Sequence, residues 1–284
     1  MSSSDGGPFL YAFPQDSAAF QFCPRGSGRM RDWTPLALTL LPPGLILDIG
    51  AHDGTDAIQY ANAGHTVLSF EPNPAKALNI ERRLNKSGVA SQITFFSAAV
   101  SEEVGEQRFW SFDGPGGSEQ DSLSKPLRSG QNLTSALVPV TTIDTVLADL
   151  ARTTRASSVL WAKIDAQGHD GEIVLGAKRT ISKGQMPTFL MEVSPRLAPD
   201  GMAKYMKSFE FLDHHGYRCF DCDTSGHAVM RWMRGVPFPP KLGRYPTRTR
   251  LHELHNFSVM LWGENQGGWT NVLCTTERRI WGSS

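Results

Sequence analysis

Apolar and polar positions first take on a regular rhythm at Leu45. LILDIG is a short apolar run closed by glycine, Thr55 to Ala63 carries helical spacing, and HTVLSFEP is a second β-rich run stopped by proline. This pattern predicts a β-α-β unit. Pro74 stands where a first helical turn tolerates it, and AKALNIERRLNKSG sets Ala77, Ile80 and Leu84 at helical spacing before a terminating Gly88. ITFFSAAV follows as a third strand. SVLWAKID, PTFLMEV, YRCFDCD and NFSVMLW are further strand candidates, with helices near Gly171 to Lys183 and Met202 to His215. Parallel crossovers need a covering helix, so the alternation predicts an α/β fold: a mostly parallel sheet of roughly seven strands with helices on both faces.

Several stretches depart from this rhythm and set the expected boundaries. Residues 1–43, with Ser, Gly and Pro clusters, read as an N-terminal arm or cap over a domain at 44–262, and 263–284 as a C-terminal extension. GEQRFWSF looks like an added strand. The Gly-, Ser- and Asp-rich run 113–133 is expected to be a lid loop, because long loops inside compact α/β domains are often functional. Residues 228–250 read as an irregular insertion, and no repeat at solenoid periods is visible.

Composition narrows the classes. The chain has 284 residues and is 40% hydrophobic, enough for one sizeable core. Lys plus Arg and Asp plus Glu both number 28, so no overall field draws the protein to nucleic acid or an anionic membrane. KLGRYPTRTR, with Lys241, Arg244, Arg248 and Arg250, reads as a solvated basic loop. Without a run of eighteen apolar residues or a basic leader, a soluble cytoplasmic protein is expected. The cysteines, Cys23, Cys219, Cys222 and Cys274, are too few and scattered for a disulfide framework and suit a reducing compartment. Cys219 and Cys222 form a CxxC with no second pair, so they read as strand residues rather than a zinc site. Asn132 and Asn256 match glycosylation acceptors by chance.

The chemistry concentrates where strands end. In LILDIGAHDG, Gly50 and Gly54 occupy a strand-to-helix turn, where absent side chains let backbone approach a ligand. A dinucleotide fingerprint would be GxGxxG; here the spacing is GxxxG and Asp48 precedes it. That acid would repel pyrophosphate but suits the ammonium of a methionine moiety. Glu71 ends the second strand about twenty residues on, where a carboxylate accepts bonds from two ribose hydroxyls. Together they point to S-adenosylmethionine.

DIGAHDGTDAIQYANAGHTVLSFEPNP, VPVTTIDTVL and WAKIDAQGHDGEIVLGA resemble, in order and spacing, three blocks of the FkbM-type methyltransferases. The resemblance covers Leu45 to Ser194 and extends loosely to Trp262. It implies a Rossmann-like class I methyltransferase fold and, usually, methyl transfer to a hydroxyl of a sugar, glycan, polyketide or other natural product. It also implies that Asp48, Gly50 and Gly54 contact the cofactor, that Glu71 holds its ribose, and that Ser97 and Ala98 border the adenine. His52, Asp53 and Asn73 are counted with the cofactor-binding positions. Asp170 departs from the block, which more often has glutamate there.

WAKIDAQGHDGE places Lys163, Asp165 and His169 at the C-terminal end of a central strand, the edge where open α/β sheets bind ligands. Methyl transfer needs alignment and removal of a hydroxyl proton, and Asp165 with His169 supplies the groups; the alternative for His169 is to cap the next helix or pair with Asp170. Glu192, ending FLMEVSP, should face the same cleft. No metal-ligand set is assigned, although Asp165 leaves a divalent cation open. Asp144 reads as a helix cap, and Trp232, Trp262, Trp269 and Trp281 as packing residues. The expected partner is a small-molecule or glycan hydroxyl; nothing in the pattern specifies an oligomeric state. Two other readings are a nucleic-acid or other N-methyltransferase, disfavoured because KIDAQGH replaces the usual Asn/Asp-Pro-Pro-aromatic turn, and a non-catalytic cofactor-binding module.

Overall fold

The computed structural model describes residues 9–12, 38–39, 41–113, 121–123, 132–153, 158–194, 197–198, 203–221, 248–250 and 270–276. Its strands are β1 (Phe9–Ala12), β2 (Leu45–Ile49), β3 (Thr66–Phe70), β4 (Ile93–Phe96), β5 (Ala99–Val100), β6 (Gly105–Asp113), β7 (Asn132–Thr141), β8 (Val159–Ile164), β9 (Thr188–Val193), β10 (Arg218–Asp221), β11 (Arg248–Arg250) and β12 (Thr270–Thr275). The helices are α1 (Thr55–Asn62), α2 (Pro74–Lys86), α3 (Ile143–Thr153), α4 (Asp170–Leu175), α5 (Lys178–Ser182) and α6 (Ala203–His214).

One sheet has the order β11-β1-β10-β12-β9-β8-β2-β3-β4. Neighbours from β9 through β4 are parallel, and β12 runs antiparallel between β9 and β10. This is the α/β sheet that the periodicity predicts, with β1 and β11 added at one edge. β2 and β9 are buried along their whole length because helices cover both faces. Leu47, Ile49, Ala162, Ile164, Met191 and Val193 pack with α3, α4, α5 and α6. Ile46, Trp161, Leu190 and Leu273 pack with α1 and α2. A second sheet, β5-β7-β6, carries the added strand expected at GEQRFWSF.

Three expectations change. The single helix foreseen from Gly171 to Lys183 is two helices, α4 and α5, which part at Gly176, where the chain lies so near Ser101 that a Cβ would stand 2.0 Å from its carbonyl oxygen. The strand foreseen at NFSVMLW lies outside the described residues, and the antiparallel strand beside β9 is TNVLCT, inside the stretch set aside as an extension. Phe9–Ala12 likewise joins the sheet rather than standing apart as an arm. Most of the expected lid at 113–133 and insertion at 228–250 also lies outside the described residues.

Cys219 and Cys274, in register across β10 and β12, form a disulfide. Their separation of 55 residues hid this pairing from the sequence, and the bond removes the argument for a reducing compartment drawn from cysteines too few and scattered to pair. Among the described residues, no helix is long and apolar enough to cross a membrane.

β12 buries Val272, Leu273 and Cys274 completely, and the two aliphatic side chains, Val272 and Leu273, contribute about 1.5–3 kcal/mol each. A chain ended after residue 262 is therefore expected to lose its cooperative thermal unfolding transition. A truncated protein that melts like the full chain would show that β12 is dispensable.

Candidate active site

The turn after β2 is built around close backbone approach. Gly50 has φ +81°, and a Cβ there would stand 1.9 Å from the Asp165 carbonyl oxygen, so only glycine brings the ends of β2 and β8 together. Gly54 opens α1, also at positive φ. Two non-glycine residues, His52 (φ 53°) and Gln167 (φ 51°), share the left-handed region, one in each of the turns that follow β2 and β8. Each costs on the order of 1–2 kcal/mol, and such strain collects at functional sites.

Beneath the turns lies a buried cation. Lys163 Nζ is 3.1 Å from Asp56 Oδ2, 3.5 Å from Asp48 Oδ1 and 3.7 Å from Asp165 Oδ2, and it donates to the Gly50 carbonyl at 3.0 Å. Burial opposes its charge, but Asp56, Asp48 and Asp165 together hold its pKa well above the ordinary lysine value. Asp48, wholly buried, also accepts from Ser69 Oγ at 3.1 Å; burial pushes its pKa up to about 6 against the pull of Lys163. Asp48 was expected to meet a ligand ammonium; in this arrangement it meets a protein one. Lys163 was placed at the ligand edge without a role, and Asp56 was missing from the expected site. The signal was an acid on the apolar face of α1, beside Ala57 and Tyr60, and a lysine inside the apolar run VLWAKI.

Glu71, at the end of β3, accepts the His52 N–H on one oxygen at 2.8 Å and the Asn73 N–H on the other at 3.0 Å. Burial raises its pKa, with Lys76 and those two bonds opposing. The Phe96 carbonyl accepts the Glu71 N–H, bringing the turn of exposed Ser97 and half-buried Ala98 to the same edge. Asp53 and Asn73 are occupied locally. Asp53 takes the Thr55 N–H and hydroxyl and pairs with Arg83 at 2.7 Å; against the opposing effect of burial, these bonds bring its pKa down to about 2. Asn73 accepts the Ala75 N–H as the N-cap of α2 and donates to Asp121 at 2.9 Å.

Asp165 and Glu192 come to one place. They immediately follow the register pair Ile164 and Met191 on adjacent strands, and alternation turns both toward the face of Lys163 and Leu190. Asp165 accepts from Gln167 Nε2 at 2.8 Å; burial raises its pKa, which Lys163 and Gln167 offset in part. Glu192 is 5% exposed and accepts from Ser194 Oγ.

His169 is not brought to Asp165. Its Nε2 lies 2.8 Å from Ser101 Oγ and its Nδ1 3.9 Å from Glu172, and no hydrogen bond or ion pair joins it to Asp165. Burial lowers its pKa to about 4. Its side chain caps nothing at the start of α4. The loop is held instead by Asp170, which accepts the N–H groups of Ala166 and Gly168 and the Tyr205 hydroxyl; burial raises its pKa to about 8. Asp144 is structural, accepting from Arg179 and Thr180 at the start of α5. Among the described residues, no group of three or more His, Cys, Asp or Glu side chains is arranged to hold a metal ion.

Comparison with known proteins bears on the same region. The 2-O-methyltransferase NoeI of Sinorhizobium fredii (strain NBRC 101917 / NGR234) is 26% identical over 150 residues, covering 50% of this chain and 60% of that protein. The chain therefore spans less than two thirds of that relative. The crystal structure of methyltransferase FkbM from Methylobacillus flagellatus KT has 17% identity and a TM-score of 0.42, covering 64% of this chain and 41% of that one. A SAM-dependent methyltransferase from Geobacter sulfurreducens, in complex with S-adenosyl-L-homocysteine, has 14% identity and a TM-score of 0.38, covering 85% and 88%. The model of the FkbM methyltransferase domain matches residues 48–219, from the acid that ends β2 into β10. That span is more than half of the chain, which belongs to the FkbM methyltransferase family.

Proposed function

We propose that this protein is an O-methyltransferase acting on a hydroxyl of a sugar, glycan or other small natural product. One observation carries the proposal: two carboxylates, Asp165 and Glu192, stand level on neighbouring strand ends, on the ligand edge of the sheet, beside the glycine turn. The printed activity of NoeI, 2-O-methylation, supports the same acceptor chemistry.

The residues present fit the cofactor. Each Glu71 oxygen takes one backbone N–H and keeps a lone pair for a ribose hydroxyl. Three carboxylates around the single Lys163 ammonium leave surplus negative charge, which suits a cationic donor. S-adenosylmethionine supplies, when bound, an electrophilic methyl group on its sulfonium. What the chain adds is position and proton removal. The Gly50 to Gly54 turn and Glu71 bind and orient, and Asp165 receives the hydroxyl proton, with Glu192 next to it to orient the acceptor. His169, bonded to Ser101 away from these carboxylates, holds the loop rather than the proton.

Asp165→Asn is expected to lower turnover by about 10²- to 10⁴-fold with little change in S-adenosylhomocysteine affinity. The assay is transfer of labelled methyl to free sugars, glycans, phenols and RNA, with and without EDTA. Full turnover in the variant, or RNA as the sole acceptor, would sink the proposal. Glu71→Gln should weaken S-adenosylhomocysteine by about 1–3 kcal/mol in calorimetry; unchanged affinity would take Glu71 out of the ribose site.

His169 sets a pH dependence of folding. Its folded pKa, about 4, lies below the ordinary 6.5, so the unfolded chain binds more protons between those values. Its contribution is complete above pH 6.5 and is lost as pH falls through 4, about 3 kcal/mol in all. Urea unfolding of His169→Gln at pH 7 and pH 4.5 should show a smaller loss than the wild type. Equal losses would mean that the ring is not buried neutral.

A further inference from the structure

Asp121 and Ser122 make contacts that the catalytic proposal does not use. The Asp121 carboxylate, its side chain 4% exposed, pairs with Lys76 Nζ at 3.0 Å, in the first turn of α2, and accepts from Nδ2 of Asn73, the N-cap of that helix, at 2.9 Å. Ser122 Oγ donates to the carbonyls of Gln167 at 3.0 Å and Ala166 at 3.5 Å, in the loop that follows Asp165. The backbone of Ser122 exchanges two hydrogen bonds with Trp110 of β6, at 2.9 and 3.0 Å, and Leu123 packs on the core of the small sheet.

Sheet order turns these contacts into a path. Asp121 is fastened to the segment after β3, and Ser122 to the segment after β8. β2 lies between those strands. At about 4.8 Å per strand, two adjacent residues with their side chains cover the roughly 10 Å between them. They therefore cross the C-terminal end of β2, where the Gly50 to Gly54 turn sits.

We propose that Asp121 and Ser122 form a strap across the glycine turn that retains the adenosyl cofactor, with the Lys76–Asp121 ion pair as its catch. This rests on the cofactor reading above. A strap tied by a charge-assisted, largely buried bond at one end and hydroxyl bonds at the other must open for cofactor exchange. It slows release as well as binding. Trp110 is its hinge side, because the two backbone bonds there are independent of the cleft.

The test is stopped-flow release of S-adenosylhomocysteine from the wild type, Asp121→Ala, Lys76→Met and the double variant. Each single change is expected to speed release by about tenfold, with association no slower, and the double variant should add little, since both changes undo one catch. If Asp121→Ala does not fold, Lys76→Met breaks the same catch from the helix side. Release at the wild-type rate in the folded variants would overturn the strap while leaving the cofactor reading intact. Slower association with unchanged release would also overturn it, assigning Asp121 to the alignment of Asn73 alone. A wild-type protein that binds no S-adenosylhomocysteine in calorimetry would overturn both.

Discussion

A buried ammonium organises this protein. Lys163 is 5% exposed and meets four oxygens drawn from β2, α1 and the turns after β2 and β8. Taking a charge out of water costs several kcal/mol, and one carboxylate in ordinary geometry seldom offsets it. Here three do so, together with a backbone carbonyl. The excess of acid over base is itself accommodated, since burial raises the pKa of Asp48 to about 6 and also raises that of Asp165. Removing the ammonium would leave the buried carboxylates uncompensated, a change that typically costs about 3–5 kcal/mol, enough to consume much of a domain's stability. The same ammonium bonds the Gly50 carbonyl and pairs with Asp165, so it clamps together two turns that contain positive-φ, non-glycine residues. Strained backbone of that kind persists only where its surroundings over-determine it.

Local pattern reached a long way into this structure. LILDIG, HTVLSFEP and SVLWAKID are β2, β3 and β8, because short apolar runs closed by glycine or proline identify strands buried on both faces. The positions of Asp165 and Glu192 at neighbouring strand ends were legible because each is the first acid met along an apolar run. What stayed hidden depends on partners far apart in sequence. Lys163 and Asp48 are separated by 115 residues, and neither periodicity nor composition tells a strand-end acid which cation it will meet. Asp53 and Asn73 show the converse difficulty. Short polar residues beside a glycine turn suit a ligand and a helix start equally, and here their bonds go to Thr55 and Ala75. His169 shows a related difficulty. A histidine one residue before a helix on the ligand edge has the right address for catalysis, but its direction is set by Ser101, 68 residues away.

Two buried networks on opposite faces hold the loop that follows β8. On the α1 face, Lys163 grips Asp165. On the face covered by α4 and α6, Asp170 binds the N–H groups of Ala166 and Gly168, the Tyr205 hydroxyl reaches Asp170, and the Ser194 N–H donates to that hydroxyl; Ser194 Oγ in turn bonds Glu192, which alternation turns toward the α1 face. The chain from Asp170 to Glu192 therefore fixes the second carboxylate with the same groups that fix the loop of the first. Burial raises the Asp170 pKa to about 8, while the bonds it accepts from Ala166 and Tyr205 pull the other way by favouring the anion. A shorter side chain than glutamate is consistent with the contact distances, since Asp170 already reaches the backbone N–H groups at 3.0 and 3.1 Å. Groups proposed to handle the reactants need locked neighbours, and here the loop after β8 is gripped by one network on each face of the sheet.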